Sequence, residues 1–125
     1  MIPASAATLI GRFSLGVVAT VTADGQPAAS PKGTFLVLDE RRIAFGDIRS
    51  PGTIGNLNAL PRLEVVFIDP FARKGVRIAG ATTTLPRGSN DFEALIPRWH
   101  DVWGALAARV RALVVIDVES CTPLT

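Results

Sequence analysis

Arg49, Ser50 and Thr53 stand together at the start of a short helical pattern in FGDIRSPGTIGNLNALP, residues 45–61. A guanidinium and two hydroxyls at the mouth of a helix have the chemistry to bind an anion. Ser50 fits the N-cap and Pro51 the first helical position, where its missing N–H costs nothing. Free backbone N–H groups near Gly52 and Thr53 then point outward with the positive end of the helix dipole. Arg49 adds a charged fork suited to phosphate oxygens. Ser-Pro is also a common helix start, and capping alone is the simpler account of the pattern. No GxGxxG or Walker sequence is present to favour the anion reading.

Other chemistries find less support. His100 is the single histidine, and no acid-rich or Cys/His cluster surrounds it, so the chain offers neither a catalytic triad nor a metal site. Cys121 is the single cysteine, which excludes an internal disulfide. Trp99 and Trp103 lie four apart on one face of a predicted helix. Ordinary burial explains them, and an aromatic wall beside a planar ligand or at a dimer interface is the functional alternative.

The elements that must position these residues follow from pattern. Ser5 to Phe13 has apolar residues at helical spacing, and VVATVT after Gly16 is β-branched and strand-like. Asp24-Gly25 makes a hairpin turn, since that pair tolerates positive φ. A return strand runs from about Pro27 to Leu38. Pro31 inside it has no ladder donor, so the strand belongs at an edge or is bulged near Ser30–Gly33. Arg42 to Gly46 is a short third strand, and the RSPGT helix of about two turns runs to Pro61. Leu63 to Ile68 and Val76 to about Leu85 are the next strands, joined by DPFARKG, and Gly80 marks a bend or a close backbone approach. A second helix has Asn90 as N-cap and Glu93 in reciprocal position, with Pro97 interrupting it or starting another. Ala108 to Ser120 is the longest strand, with Val110, Ala112, Val114, Ile116 and Val118 on one face. This order predicts a mainly β domain, a six-stranded antiparallel barrel with short flanking helices, because closure hides sheet edges.

Bulk properties bound the function. The 125 residues make one domain, 1–125, with 48% apolar and 19% charged residues. That apolar excess calls for a dimer interface or a ligand pocket. No apolar run approaches the length of a membrane-spanning helix. The net charge is +2, and the basic groupings at Arg41–Arg42, Arg73–Lys74 and Arg109–Arg111 are scattered, which reads as solvated surface rather than a nucleic-acid footprint. The N-terminus lacks the basic region of a signal peptide, so the expectation is a soluble cytoplasmic protein.

Taken in order, VVATVTADGQPAASPKGTF, IAFGDIRSPGTIGNLNALPRLEVVFIDP and RKGVRIAGAT resemble the pyridoxamine 5'-phosphate oxidase-like family of FMN-binding split barrels. The similarity covers about Leu15 to Thr84. It implies that Ser30, Pro31, Lys32, Gly33 and Thr34 lie on the flavin-contacting strand, with Lys32 offering a cation to the ring or phosphate. It places Gly46 and Asp47 beside the ribityl chain, Arg49, Ser50 and Thr53 in the phosphate turn, and Asn56 one turn further on. A homodimer with flavin sites built by both chains is implied, as is a small-molecule substrate or an electron donor such as NAD(P)H. Gly52 and Thr53 stand where the oxidase itself has an Arg-Lys pair, and nothing after Arg109 matches its C-terminal Trp, Arg and His motif. The resemblance therefore implies FMN as cofactor, in an oxidoreductase or electron carrier, rather than pyridoxamine phosphate oxidation. A deazaflavin in the same barrel, or haem with His100 as axial ligand, is the alternative.

Overall fold

The computed structural model describes residues 1–124. Helix α1 (Ala4–Arg12) leads into strands β1 (Gly16–Val21), β2 (Pro27–Lys32), β3 (Phe35–Val37) and β4 (Arg42–Asp47). Helix α2 (Pro51–Ala59) precedes β5 (Arg62–Asp69) and β6 (Lys74–Pro86), and helix α3 (Asn90–Trp103) with a 3₁₀ helix (Gly104–Arg109) leads to β7 (Ala112–Leu124). The strands form one antiparallel sheet in the order β2-β1-β5-β6-β7-β4-β3.

Seven strands replace the expected six because the return strand divides. Residues 27–32 pair with β1, whereas residues 35–37 pair with β4. These two short strands are the opposite edges of the sheet, yet only Gly33 and Thr34 separate them in the chain. Two residues can join opposite edges only if the sheet curls until the edges meet. The result is a split β-barrel with its seam at Gly33-Thr34. Pro31 lies on an edge strand, as its missing donor requires.

The Asp-Gly turn closes β1 onto β2, with Gly25 at φ 85° and the Thr22 hydroxyl bonded to Asp24. At Gly80 the β6–β7 register shifts, and a Cβ there would lie 2.0 Å from the Asp117 carbonyl oxygen. The expected close approach is therefore a β-bulge.

Two apolar clusters hold the molecule. Inside the barrel, Phe35 packs on Phe45 (5.1 Å) and edge-on to Phe67 (4.8 Å), among Ile10, Val18, Val65, Ile78, Val114 and Ile116. Outside it, Phe92, Ile96 and Trp99 of α3 cover Ala44, Leu85, Leu113 and Val115. Strand β7 lies between the two clusters, so residues 112–116 are buried on both faces. Val114, Ile116 and Val118 share the inner face as expected, but Leu113 and Val115 fill the outer one, so burial does not alternate; Val110 packs in the outer cluster, and residues 104–109, partly expected as strand, form the 3₁₀ helix.

Helix α3 departs from expectation at both features read from its sequence. Its N-cap is Ser89, one residue before Asn90; the Ser89 hydroxyl accepts from Phe92 N, and the Glu93 carboxylate accepts from Gly88 N. Pro97 neither breaks the helix nor starts another, because it sits on the solvent side, where water can satisfy the carbonyl its ring leaves unbonded.

Candidate functional site

The seam of the barrel is also where the chemistry gathers. Thr34, on the corner between β2 and β3, is buried, and its hydroxyl accepts from Gly46 N (2.9 Å) and donates to Gly46 O (3.0 Å). A side chain thus occupies the place of a strand partner and ties the corner to β4. From the other side the fully buried Trp99 donates its indole N–H to the Thr34 carbonyl (2.9 Å). A Cβ on Gly46 would approach Val110 and the Thr34 hydroxyl at 3.0–3.2 Å, so glycine allows this close packing.

A groove of about 380 Å³ opens over this corner. Pro31, Lys32, Gly33 and Thr34 form one wall, and Gly46, Asp47, Arg49 and Ser50 form the other. Ile48, Trp103 and Leu106 give it an apolar border. Eight of the eleven residues singled out from sequence (all but Ser30, Thr53 and Asn56) therefore share one cavity.

The other three lie outside it. Ser30 is half-buried on β2 opposite Val18, and Thr53 is buried in the first turn of α2. The Asn56 amide donates to the Thr20 hydroxyl (3.0 Å), which fastens α2 to β1.

Lys32 is the central charge. It is only 7% exposed, and its ammonium donates to the Ser50 hydroxyl. Burial pushes its pKa below the usual 10.5, and the charge of Asp47 offsets part of that shift. Asp47 is 5% exposed, and its Oδ1 has no hydrogen-bond partner among the described residues.

Ser50 occupies the N-cap position and Pro51 the first helical position, as expected, but the hydroxyl makes no capping bond. Its carbonyl accepts from Ile54 N (3.0 Å). The hydroxyl that should have satisfied the helix mouth is turned to Lys32 instead. The groove thus meets a helix N-terminus without a side-chain cap, a buried ammonium and an exposed guanidinium. Together they favour negative charge. Asp47 adds an acceptor that requires a donor.

Ile48 and Leu106 were not anticipated as groove residues. Ile48 was hidden inside the polar run GDIRS, and Leu106 fell where helix was expected to give way to strand. Trp103 carried a signal, its spacing from Trp99, and the structure separates the pair: Trp99 is interior, and Trp103 borders the groove.

The family model described as pyridoxamine 5'-phosphate oxidase matches residues 2–122. The chain belongs to that family. Among solved structures it is similar to HupZ of Group A Streptococcus, with 27% identity over 99% of this chain and 94% of that one, at a TM-score of 0.84. The heme storage protein HutZ of Vibrio cholerae has the same fold at 17% identity, covering 99% and 94% of the two chains, with a TM-score of 0.75. An FMN-binding protein of Syntrophomonas wolfei subsp. wolfei shares the fold at 12% identity, over 96% and 84% of the chains, with a TM-score of 0.79. No curated protein sequence matches the chain. No helix among the described residues is long and apolar enough to cross a membrane.

Proposed function

We propose that this member of the family is an FMN-binding flavoprotein, a homodimeric oxidoreductase or flavin electron carrier of the cytoplasm. The observation that carries the reading is the Lys32–Ser50 pair set against the α2 N-terminus, with Arg49 beside it. Lys32, Ser50 and the first N–H groups of α2 would hold a phosphate, and Arg49 would close over it. The free Oδ1 of Asp47 suits a ribityl hydroxyl as donor. Trp103, Leu106 and Ile48 supply an apolar flank for a flat ring.

FMN, when bound, supplies hydride and single-electron transfer between a small-molecule substrate and a donor such as NAD(P)H. The chain's own residues bind, orient and exclude water. With Gly52 and Thr53 in the turn and no oxidase-type C-terminal motif, pyridoxamine phosphate is not the proposed substrate.

The dimer rests on the outer face of the sheet. Val17, Val21 and Ile68 are 42%, 38% and 55% exposed, and Val17 lies opposite both Pro31 and Val66. Pro31 is at once on this face and in the groove wall. A second chain laid on the face would complete that wall.

The purified protein should be yellow and should release FMN on denaturation. Colourless protein that takes up no added FMN would defeat the reading. Arg49→Ala should weaken FMN more than riboflavin; equal losses would show that Arg49 does not hold the phosphate.

Haem is the second reading. It is favoured by the shared fold with a heme storage protein and by His100, exposed on α3 one turn before Trp103. It requires a Soret band on haem addition that His100→Ala abolishes. A deazaflavin would instead show itself by outcompeting FMN in direct titration.

A further inference from the structure

Arg109 and Arg111 read as solvated surface in sequence, yet the fold brings them to one place with Arg49 and Arg87. The four guanidinium-bearing residues border a cavity of about 300 Å³, completed by Ile48 and Ala108, and no carboxylate of the described residues lines it. Ile48 and Arg49 also border the groove of the proposed phosphate site, so the two cavities share a wall.

The floor of this cavity is built from three segments tied to one another. Arg111 N donates to the Asp47 carbonyl (2.7 Å), and Arg87 N donates to the Arg111 carbonyl (2.9 Å). The Arg87 guanidinium donates to the carbonyls of Val110 (2.9 Å from Nε) and Ala108 (2.8 Å). Arg87 therefore acts as a staple between the β6–α3 turn and the start of β7. The ion pairs among the described residues are Arg42–Asp39 and Arg62–Glu119, so Arg49, Arg109 and Arg111 have no acidic partner.

Like charges lining one cavity without counter-charge repel, and an anion between them relieves that cost. Exposed Arg49, Arg109 and Arg111 offer this cavity guanidinium forks that match phosphate oxygens better than a lysine would, while the Arg87 fork is committed to backbone carbonyls. We propose that this cavity is a second anion subsite that takes a pyrophosphate-class group, free or as part of a small nucleotide. A single monoanion would leave most of the positive charge uncompensated. A nucleic-acid strand would need a continuous basic track, and the remaining basic residues are dispersed over the chain. Arg49 borders both cavities, so with FMN in the neighbouring groove the subsite rests on Arg109 and Arg111, with Arg87 as its staple.

The test is calorimetric titration of the protein with inorganic pyrophosphate, compared with a double variant, Arg109→Ala with Arg111→Ala. Both side chains are exposed, and the backbone bonds they flank survive the substitution. Arg12→Ala with Arg41→Ala removes the same charge elsewhere. Pyrophosphate binding should weaken by about tenfold or more in the first variant and stay within about twofold in the second. Equal weakening in the two variants, equal affinity for succinate, or no binding to the unaltered protein would overturn the subsite. Displacement of bound pyrophosphate by NADPH or ADP identifies a nucleotide as the source, and its absence identifies free pyrophosphate. FMN uptake, read by absorbance in the same variants, reports on the groove separately.

Discussion

Lys32 carries its charge where water barely reaches, and that gives the candidate site a measurable pH signature. Burial lowers its pKa from 10.5, so the folded protein holds this proton less tightly than the unfolded chain does. The stability linked to Lys32 is therefore fully present above 10.5 and is lost as pH falls through the lowered, folded value. Phosphate has the opposite preference, since a dianion against the ammonium favours the protonated form. FMN affinity should fall as pH rises through the pKa of Lys32 in the free protein, earlier than a solvent-exposed lysine would allow. Lys32→Arg should flatten that slope, because arginine keeps its proton throughout. Fluorescence titrations of FMN between neutral and alkaline pH decide the matter; the same slope in both proteins would remove Lys32 from the phosphate site. At this scale the hydroxyl, cation and glycine types of RSPGT and SPKGT carry local meaning, and the fold brings residues of both runs to one groove. The inward turn of Asn56 toward Thr20 was not, since only the packed barrel places a partner hydroxyl there.

Elements were legible where the signal is local and obscure where a partner strand decides. Asp24-Gly25 specifies its turn alone, and Pro31 calls for an edge or a bulge, of which the fold takes the edge. The division of the return strand depends on which neighbour each half finds, and no pattern within residues 27–38 contains that information. The same holds for β7, whose alternation vanishes because α3 covers its outer face. Two glycines show the contrast energetically. Gly11 lies in α1 with nothing within 4 Å of a would-be Cβ, so Gly11→Ala should stabilise the protein by about 0.5–1 kcal/mol. Gly80→Ala drives a methyl into the Asp117 carbonyl and should cost about 1–3 kcal/mol through displacement of the β6–β7 bulge. Urea unfolding of both variants checks the pair, and a Gly80→Ala protein as stable as its parent would mean the bulge yields freely. A third substitution bears on the corner itself. Trp99→Phe leaves the Thr34 carbonyl without its indole donor and should destabilise by about 1–3 kcal/mol. Trp103→Phe should leave stability nearly unchanged while weakening FMN. Reversal of that order would exchange the roles of the two tryptophans.

For the whole molecule, the apolar excess in composition is only partly absorbed by the two clusters, and part of the remainder shares one sheet face. Val17, Ala19 and Val21 point outward along β1, with Pro27, Ala29 and Pro31 beside them on β2 and Val66 and Ile68 on β5. Glu64 stands opposite Ala19 on this face, but Val17, Pro31, Val66 and Ile68 adjoin one another, and apolar residues grouped on one face call for an explanation that scattered ones do not. Because Pro31 belongs both to this face and to the groove, covering the face changes the groove. Assembly and cofactor affinity should then be coupled. Val17→Glu replaces a 42% exposed side chain, so it should leave the barrel folded while placing two like charges near each other across a twofold interface. Light scattering should show the unaltered protein at twice the chain mass and the variant at the chain mass. FMN affinity should drop in the variant although no residue of its own groove has changed. A monomeric variant that binds FMN as tightly as its parent would confine the flavin site to one chain. A variant that remains dimeric would move the interface to another face of the barrel.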